Sequence, residues 1–113
     1  MQARPVLPAL PEDWLARLRG RLAAAPDHNP AARAHLPGEP RAAAVLVPII
    51  DRPQAPTLLL TQRAGHLRHH AGQISFPGGG IEAGDADVLG AALRETQEEI
   101  GIAARFIEPL GFL

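Results

Sequence analysis

The sequence predicts an α+β fold, because segments with strand-like and helix-like apolar patterns occur together in one short chain. Residues 43–50 are apolar and contain several β-branched side chains, and they are predicted to be a strand. Residues 57–63, which follow a turn, are predicted to be a second strand. Residues 86–100 carry apolar side chains at the spacing of an α-helix. A chain of 113 residues suits one domain with a modest core.

The N-terminal part is predicted to be an addition to that domain. Residues 12–24 form a short amphipathic helix in this prediction, and its apolar side chains are Trp14, Leu15, Leu18 and Leu22. Packing is the default role of the tryptophan. Residues 25–40 contain four prolines and are predicted to be a linker. The predicted division is therefore 1–40 for the helix and linker, and 41–113 for the domain.

The middle of the chain is predicted to be a hairpin followed by loops. Pro48 argues for an edge or a bulge in the first strand, and residues 51–56 form the turn to the second. Residues 64–75 are expected to be a polar loop, and the Phe-Pro-Gly-Gly-Gly run at 76–80 is expected to be irregular. Residues 105–113 are predicted to be a last strand, interrupted by Pro109.

Composition excludes several functional classes. The net charge is −1 without a basic stripe or polybasic tail, so neither nucleic acid nor a membrane surface is an expected partner. No secretory signal or apolar run of spanning length is present. The absence of cysteine excludes disulfides, thiolate metal sites and cysteine nucleophiles, and it suits a reducing cytoplasm. Oligomeric state is not indicated.

The predicted helix at 86–100 has an acidic side. Asp85 is its predicted N-cap and Gly101 its predicted left-handed C-cap. At about 100° per residue, Leu93, Thr96 and Ile100 lie within about 40° of Leu89, with Ala92 about 60° away, and this stripe is expected to face the core. The glutamates at 98, 95 and 99 fall at about 180°, 240° and 280°, away from that stripe.

Three carboxylates crowded near a helix C-terminus repel one another and meet the unfavourable end of the helix dipole. A bound Mg²⁺ or Mn²⁺ would explain the arrangement, since hard cations prefer oxygen ligands. We therefore take Glu95, Glu98 and Glu99 as candidate metal ligands, with Arg94 neutralising or orienting one of them. The alternative is an acidic face that is simply solvated.

Residues 79–102, GGIEAGDADVLGAALRETQEEIGI, resemble the box motif of the Nudix hydrolases, which use divalent metal to cut diphosphates. From Arg94 to Ile102 the only departure is Thr96, which replaces an aliphatic residue. In the first half Ala86 stands where the family has glutamate. Asp85 takes that role only if the loop contains one extra residue.

Residues 59–79, LLTQRAGHLRHHAGQISFPGG, are similar to the motif that precedes the box in the coenzyme A pyrophosphatase branch of the Nudix family. Arg63 and Arg68 match its two arginines, and Gly78 and Gly79 match its final glycines. Guanidinium groups fork onto phosphate oxygens, and glycines permit close approach of the backbone. We therefore expect these four residues to bind substrate; surface arginines and a plain turn are the alternatives.

The resemblance, which covers about residues 41–113, implies an α/β/α sandwich around a mixed sheet and a loop-helix-loop that holds the metal. It implies catalysis through Glu98, Glu95 and Arg94, with the carbonyl of Gly79 or Gly80 as a further candidate ligand. The implied products from coenzyme A are 4′-phosphopantetheine and adenosine 3′,5′-bisphosphate. The general base is one of the glutamates or a residue beyond Leu113.

Several alternatives stay open at this point. The chain could be a Nudix enzyme for a nucleotide sugar, dinucleotide or nucleoside triphosphate, a non-catalytic nucleotide-binding Nudix module, or a structural domain. His66, His69 and His70 are expected to make polar loop contacts, because no acidic or cysteine partner for zinc lies nearby. The apolar residues 110–113 end without a turn, so a longer protein is expected, and the 113 residues alone are expected to fold poorly and to show little activity.

Overall fold

The computed structural model describes residues 10–27, 41–66 and 71–113. The predicted linker at 25–40 and the positions of Arg68, His69 and His70 lie wholly or largely outside the described residues. Within them, helices and strands occur together, as the α+β prediction requires. No helix among the described residues has the length and apolar character needed to cross a membrane.

The elements are short and follow the predicted order. Helix α1 covers Trp14–Arg21, and the strands are β1 (Ala43–Val45), β2 (Ile49–Ile50), β3 (Thr57–Leu58), β4 (Thr61–Gln62), β5 (Ile74–Ser75) and β6 (Gly78–Gly80). Helix α2 covers Val88–Ile100, and a 3₁₀ helix covers Ala104–Phe106. Residues 105–113, predicted as a strand, therefore begin within the 3₁₀ helix and contribute only a bridge at Phe112.

The described strands form three antiparallel pairs. β2 and β3 pair as the predicted hairpin, with Ile49 opposite Leu58. The first predicted strand is divided in two at residues 46–48, as expected of a segment containing proline, which lacks an amide donor for the ladder. Its first part, β1, pairs instead with β6, and Ala44 stands opposite Gly79. β4 pairs with β5.

The prediction that residues 76–80 are irregular was wrong, because Gly78–Gly80 form β6. A Cβ at Gly78 would overlap the Ala44 carbonyl oxygen. The close approach of β6 to β1 therefore requires glycine there. Hydrogen bonds from Leu46 to the Pro77 carbonyl and from Ile81 to the Ala42 carbonyl extend the ladder at both ends.

The core lies where α2 packs on β1 and β6. Its buried apolar residues are Ala44, Ala91 and Ala92, with Leu46, Ile81 and Val88 packed around them. Ala91, at about 200° on the predicted wheel, is fully buried. The buried side of α2 is thus rotated from the predicted stripe toward its small residues, because a strand of glycines lets the helix approach closely.

Candidate metal and diphosphate site

Helix α2 begins at a different cap from the predicted one. The side chain of Asp87 accepts a hydrogen bond of 2.7 Å from the Gly90 amide, so Asp87 and not Asp85 is the N-cap. Gly101 ends the helix with φ of 74° and donates to the Gln97 carbonyl, which confirms the predicted left-handed C-cap.

Asp85 lies before the helix and connects the segment at residues 82–85 to Arg94. Its carboxylate accepts hydrogen bonds of 2.8 and 3.0 Å from Nε and Nη2 of Arg94, and one of 2.8 Å from the Glu82 amide. The Arg94 contact, followed by the Glu82 amide, lowers the pKa of Asp85 to about 2 from an ordinary 3.8. The Asp85 hydrogen bond in turn raises the pKa of Arg94. Both groups are therefore charged at neutral pH.

The guanidinium of Arg94 is the centre of the acidic cluster. Its Nη1 donates to Glu95 at 3.1 Å and to Glu98 at 3.2 and 3.3 Å, and its Nη2 donates to the Gly80 carbonyl at 3.0 Å. Glu82 lies 3.7 Å from the same Nη1. The predicted pairing of Arg94 with the glutamates is therefore present, and it gathers two of the three onto one nitrogen.

Glu95 and Glu98 differ in their freedom to move. The Glu95 side chain is only 16% exposed, and a Cβ placed on Gly79 would come within 2.5 Å of its carboxyl carbon. The prediction that all three glutamates point away from the core was therefore wrong for Glu95, which lies against β6. Glu98 is 59% exposed, so its side chain can change rotamer without repacking the core.

Glu99 is not part of this cluster. It is exposed, and its carboxylate makes no hydrogen bond or ion pair with another described residue. Within residues 10–27, 41–66 and 71–113, no three carboxylate or imidazole groups are close enough to hold a metal ion as they stand. Nη1 of Arg94 lies between Glu95 and Glu98 and donates hydrogen bonds to both. The donors themselves, all carboxylate or carbonyl oxygen, suit a hard cation such as Mg²⁺.

Thr96 stands where the box motif has an aliphatic residue, and its surroundings explain why a polar side chain fits there. Its side chain is buried, and its hydroxyl donates to the Ala92 carbonyl at 2.7 Å. The hydroxyl is satisfied inside the helix, so threonine fills the space of an aliphatic side chain without an unpaired polar group.

Three of the four predicted substrate-binding residues, Arg63, Gly78 and Gly79, lie among the described residues. Arg63 follows β4; its backbone amide donates to the Gln73 carbonyl, and its carbonyl accepts from the Gly72 amide. Gly78 contacts β1, as described above, whereas Gly79 faces Glu95. Glycine is therefore needed at position 78 for β6 to pack against β1, and Gly79 lies next to the Glu95 carboxylate of the cluster.

Comparison with known proteins decides the family. Residues 40–113 match the NUDIX domain family, which is well over half of the chain. The chain belongs to the Nudix family. Nudix hydrolases generally use divalent ions such as Mg²⁺ or Mn²⁺, and the α+β fold is the one expected of a Nudix domain.

The curated relatives carry the same domain at high identity. A protein described as an uncharacterised Nudix hydrolase, NudL, from Salmonella paratyphi B is 58% identical over 73 residues. NudL from Salmonella newport matches to the same extent. The matched region is 65% of this chain and 38% of each relative, so the chain spans about two fifths of the length of the relatives it matches.

Proposed function

We propose that the protein hydrolyses the diphosphate bond of coenzyme A or its derivatives with Mg²⁺ or Mn²⁺, giving 4′-phosphopantetheine and adenosine 3′,5′-bisphosphate. One observation supports the site above all others. Glu95 and Glu98 meet at one nitrogen of Arg94, beside Gly79, the last residue of the upstream motif. The motif at residues 59–79 suggests the substrate, and it therefore ends next to α2, the helix that carries the carboxylates.

In this proposal Glu95, Glu98 and Glu99 hold the divalent ion. A divalent ion at these carboxylates supplies positive charge opposite the diphosphate and lowers the pKa of water. Glu98 and Glu99 are exposed and can turn toward a cation, whereas Glu95 is only partly exposed, lies next to Gly79 and accepts a hydrogen bond from Arg94. Glu95 is then the fixed ligand around which the other two arrange.

Arg94 has a different part in the reaction. It holds the loop at 80–85 on the helix through the Gly80 carbonyl and the Asp85 carboxylate. These two contacts do not involve the three glutamates, so they can persist when Nη1 gives up Glu95 and Glu98. Arg94 therefore orients the loop and balances the negative charge of the cluster.

The phosphates of the substrate need cations of their own. We assign them to Arg63 and Arg68, because a guanidinium binds two phosphate oxygens at once. Coenzyme A has a diphosphate and a separate 3′-phosphate, which gives each arginine a partner. The oxygen of a water molecule forms the new bond to one phosphorus, and the water gives up a proton to a general base. The bond from that phosphorus to the bridging oxygen breaks, and the second phosphate leaves with the bridging oxygen and the bond's electron pair.

The test is to incubate the full-length protein with coenzyme A and Mg²⁺ or Mn²⁺ and to identify the products by mass spectrometry. Adenosine 3′,5′-bisphosphate and 4′-phosphopantetheine in equal amounts support the proposal, and chelation should stop their formation. Parallel reactions with a nucleotide sugar, a dinucleotide and a nucleoside triphosphate test the substrate. Faster turnover of one of these would contradict the coenzyme A assignment, and no turnover of any would contradict hydrolysis.

A further inference from the structure

Helix α1 lies outside the family match, which begins at residue 40, and yet one of its sides is covered. In residues 14–22 the half-buried side chains are Trp14, Leu15, Leu18 and Leu22, while the others are exposed. These four are the apolar face that the sequence predicts. An isolated helix of eight residues is marginal in water, so α1 depends on the surface that covers this face.

The C-terminal end of α1 is attached to the segment that follows the 3₁₀ helix. The Ala23 amide donates to the Phe112 carbonyl at 2.8 Å, and the Phe112 amide donates to the Ala23 carbonyl at 2.9 Å. Arg19 forms an ion pair with Glu108. Two backbone bonds and one ion pair thus join parts of the chain that are far apart in sequence.

Gly111 makes this attachment possible. Its φ is 153°, and a Cβ at this position would come within 2.7 Å of the Leu22 Cβ. Glycine therefore has both a conformational and a steric reason to be at this position. The close fit shows that the 110–112 backbone is shaped around the end of α1.

The N-terminal end of α1 approaches a second part of the domain. Trp14 and residues 10–12 line one depression together with the turn at residues 51–56. That turn joins β2 to β3. The helix thus extends from the hairpin turn to the segment after α2, and the 3₁₀ helix in that segment contacts α2.

We propose that residues 10–23 are a strap of the Nudix domain, which holds the segment leaving α2 through the Ala23–Phe112 bridge and the Leu22–Gly111 contact. The strap's partner is the segment at residues 108–112 of the same chain. This proposal does not depend on the substrate or the metal, because none of its contacts involves the acidic cluster.

Cysteine pairing tests the strap directly, because the chain has no cysteine of its own. Residues that exchange both backbone hydrogen bonds have Cα atoms about 5.5 Å apart, within the range of a disulfide. The variant Ala23→Cys, Phe112→Cys should therefore form an intramolecular disulfide under mild oxidation, detected by non-reducing peptide mapping. The control Ala24→Cys, Phe112→Cys places its first cysteine on the opposite side of the chain and should not. Equal cross-linking of both variants, or of neither, would overturn the proposal.

Hydrogen exchange provides a second test in the unmodified protein. The amides of Ala23 and Phe112 should be protected, and Gly111→Ala should speed their exchange by about tenfold, the effect of losing one hydrogen bond of ordinary strength. Gly84→Ala is the matched control, since a Cβ there meets nothing within 4 Å. Emission from Trp14, the only tryptophan, should shift to the red in Gly111→Ala alone. Unprotected amides in the wild-type protein, or the same exchange in both variants, would contradict the strap.

Discussion

A methyl group added at Gly79 should disable the site while leaving the fold intact. In Gly79→Ala the new Cβ would lie 2.5 Å from the carboxyl carbon of Glu95. Carbon atoms in contact prefer about 3.5–4.0 Å, so the carboxylate must move by about 1 Å. A displacement of about 1 Å at a reacting group can cost on the order of a hundredfold in rate. We therefore expect turnover of coenzyme A to fall by about that factor.

Gly80→Ala is the matched control for this variant. Gly80 is the next residue of the same strand, and a Cβ there meets nothing within 4 Å. Both variants lose one glycine from β6, so their effects on the unfolded chain are similar. Thermal melts followed by circular dichroism should give similar midpoints for the two variants, and product formation should be close to wild type in Gly80→Ala alone.

Two results would refute this reasoning. Wild-type turnover in Gly79→Ala would show that the position of Glu95 does not matter for the reaction. An equal loss of turnover in Gly80→Ala would show that β6 tolerates no side chain at all, and that the contact with Glu95 is not the cause.

Three further predictions concern α2 and the loop before it. Glu98→Gln keeps the size of the side chain but removes its charge, so turnover should fall by several orders of magnitude; near-normal kcat would contradict its role. Gly101→Ala should lower the free energy of unfolding by about 1 kcal/mol in urea titrations, because its φ of 74° strains a residue with a Cβ, and unchanged stability would contradict the cap. The pKa of Asp85 is about 2 in the folded protein and ordinarily 3.8, so its interaction with Arg94 stabilises the fold above pH 3.8 and is lost as the pH falls toward 2. The difference in urea midpoint between the wild-type protein and Asp85→Asn should therefore shrink over that interval; a difference independent of pH would disprove the linkage.

Local patterns in the sequence were enough to predict several elements. The apolar spacing predicted α2, and Gly101 predicted where it ends. The two apolar segments around the turn at 51–56 predicted the β2–β3 hairpin. Each of these elements depends on residues that are close together in the sequence, so a single sequence is enough to predict it.

The errors came from contacts between distant parts of the chain. Glycine disfavours a strand on its own, but β6 forms because its glycines let α2 and β1 approach closely. The same approach buries Ala91 and turns the helix, so Glu95 faces the sheet although the apolar pattern places it outside. The sequence cannot distinguish Asp85 from Asp87 as the N-cap, because both side chains have the right chemistry and only the pairing of Asp85 with Arg94 separates them.

Part of the candidate site was visible in the sequence and part was not. The acidic spacing and the preceding arginine predicted a cluster, and Arg94 does gather Glu95 and Glu98. The contact of Gly79 with Glu95 could not be predicted from either motif, because it depends on how closely β6 and α2 pack. The attachment of α1 to Phe112 was missed for the same reason: a single bridge between distant residues leaves no periodic pattern.

The most direct test of the metal proposal is a calorimetric titration of the protein with Mn²⁺. We expect saturable binding in the wild-type protein and in the control Glu12→Gln, whose carboxylate lies outside the cluster, and loss of that binding in the double variant Glu95→Gln, Glu98→Gln. Circular dichroism should show that all three proteins are folded. Binding that is unchanged in the double variant, or absent from the folded wild-type protein, would contradict the assignment of these carboxylates to a divalent ion.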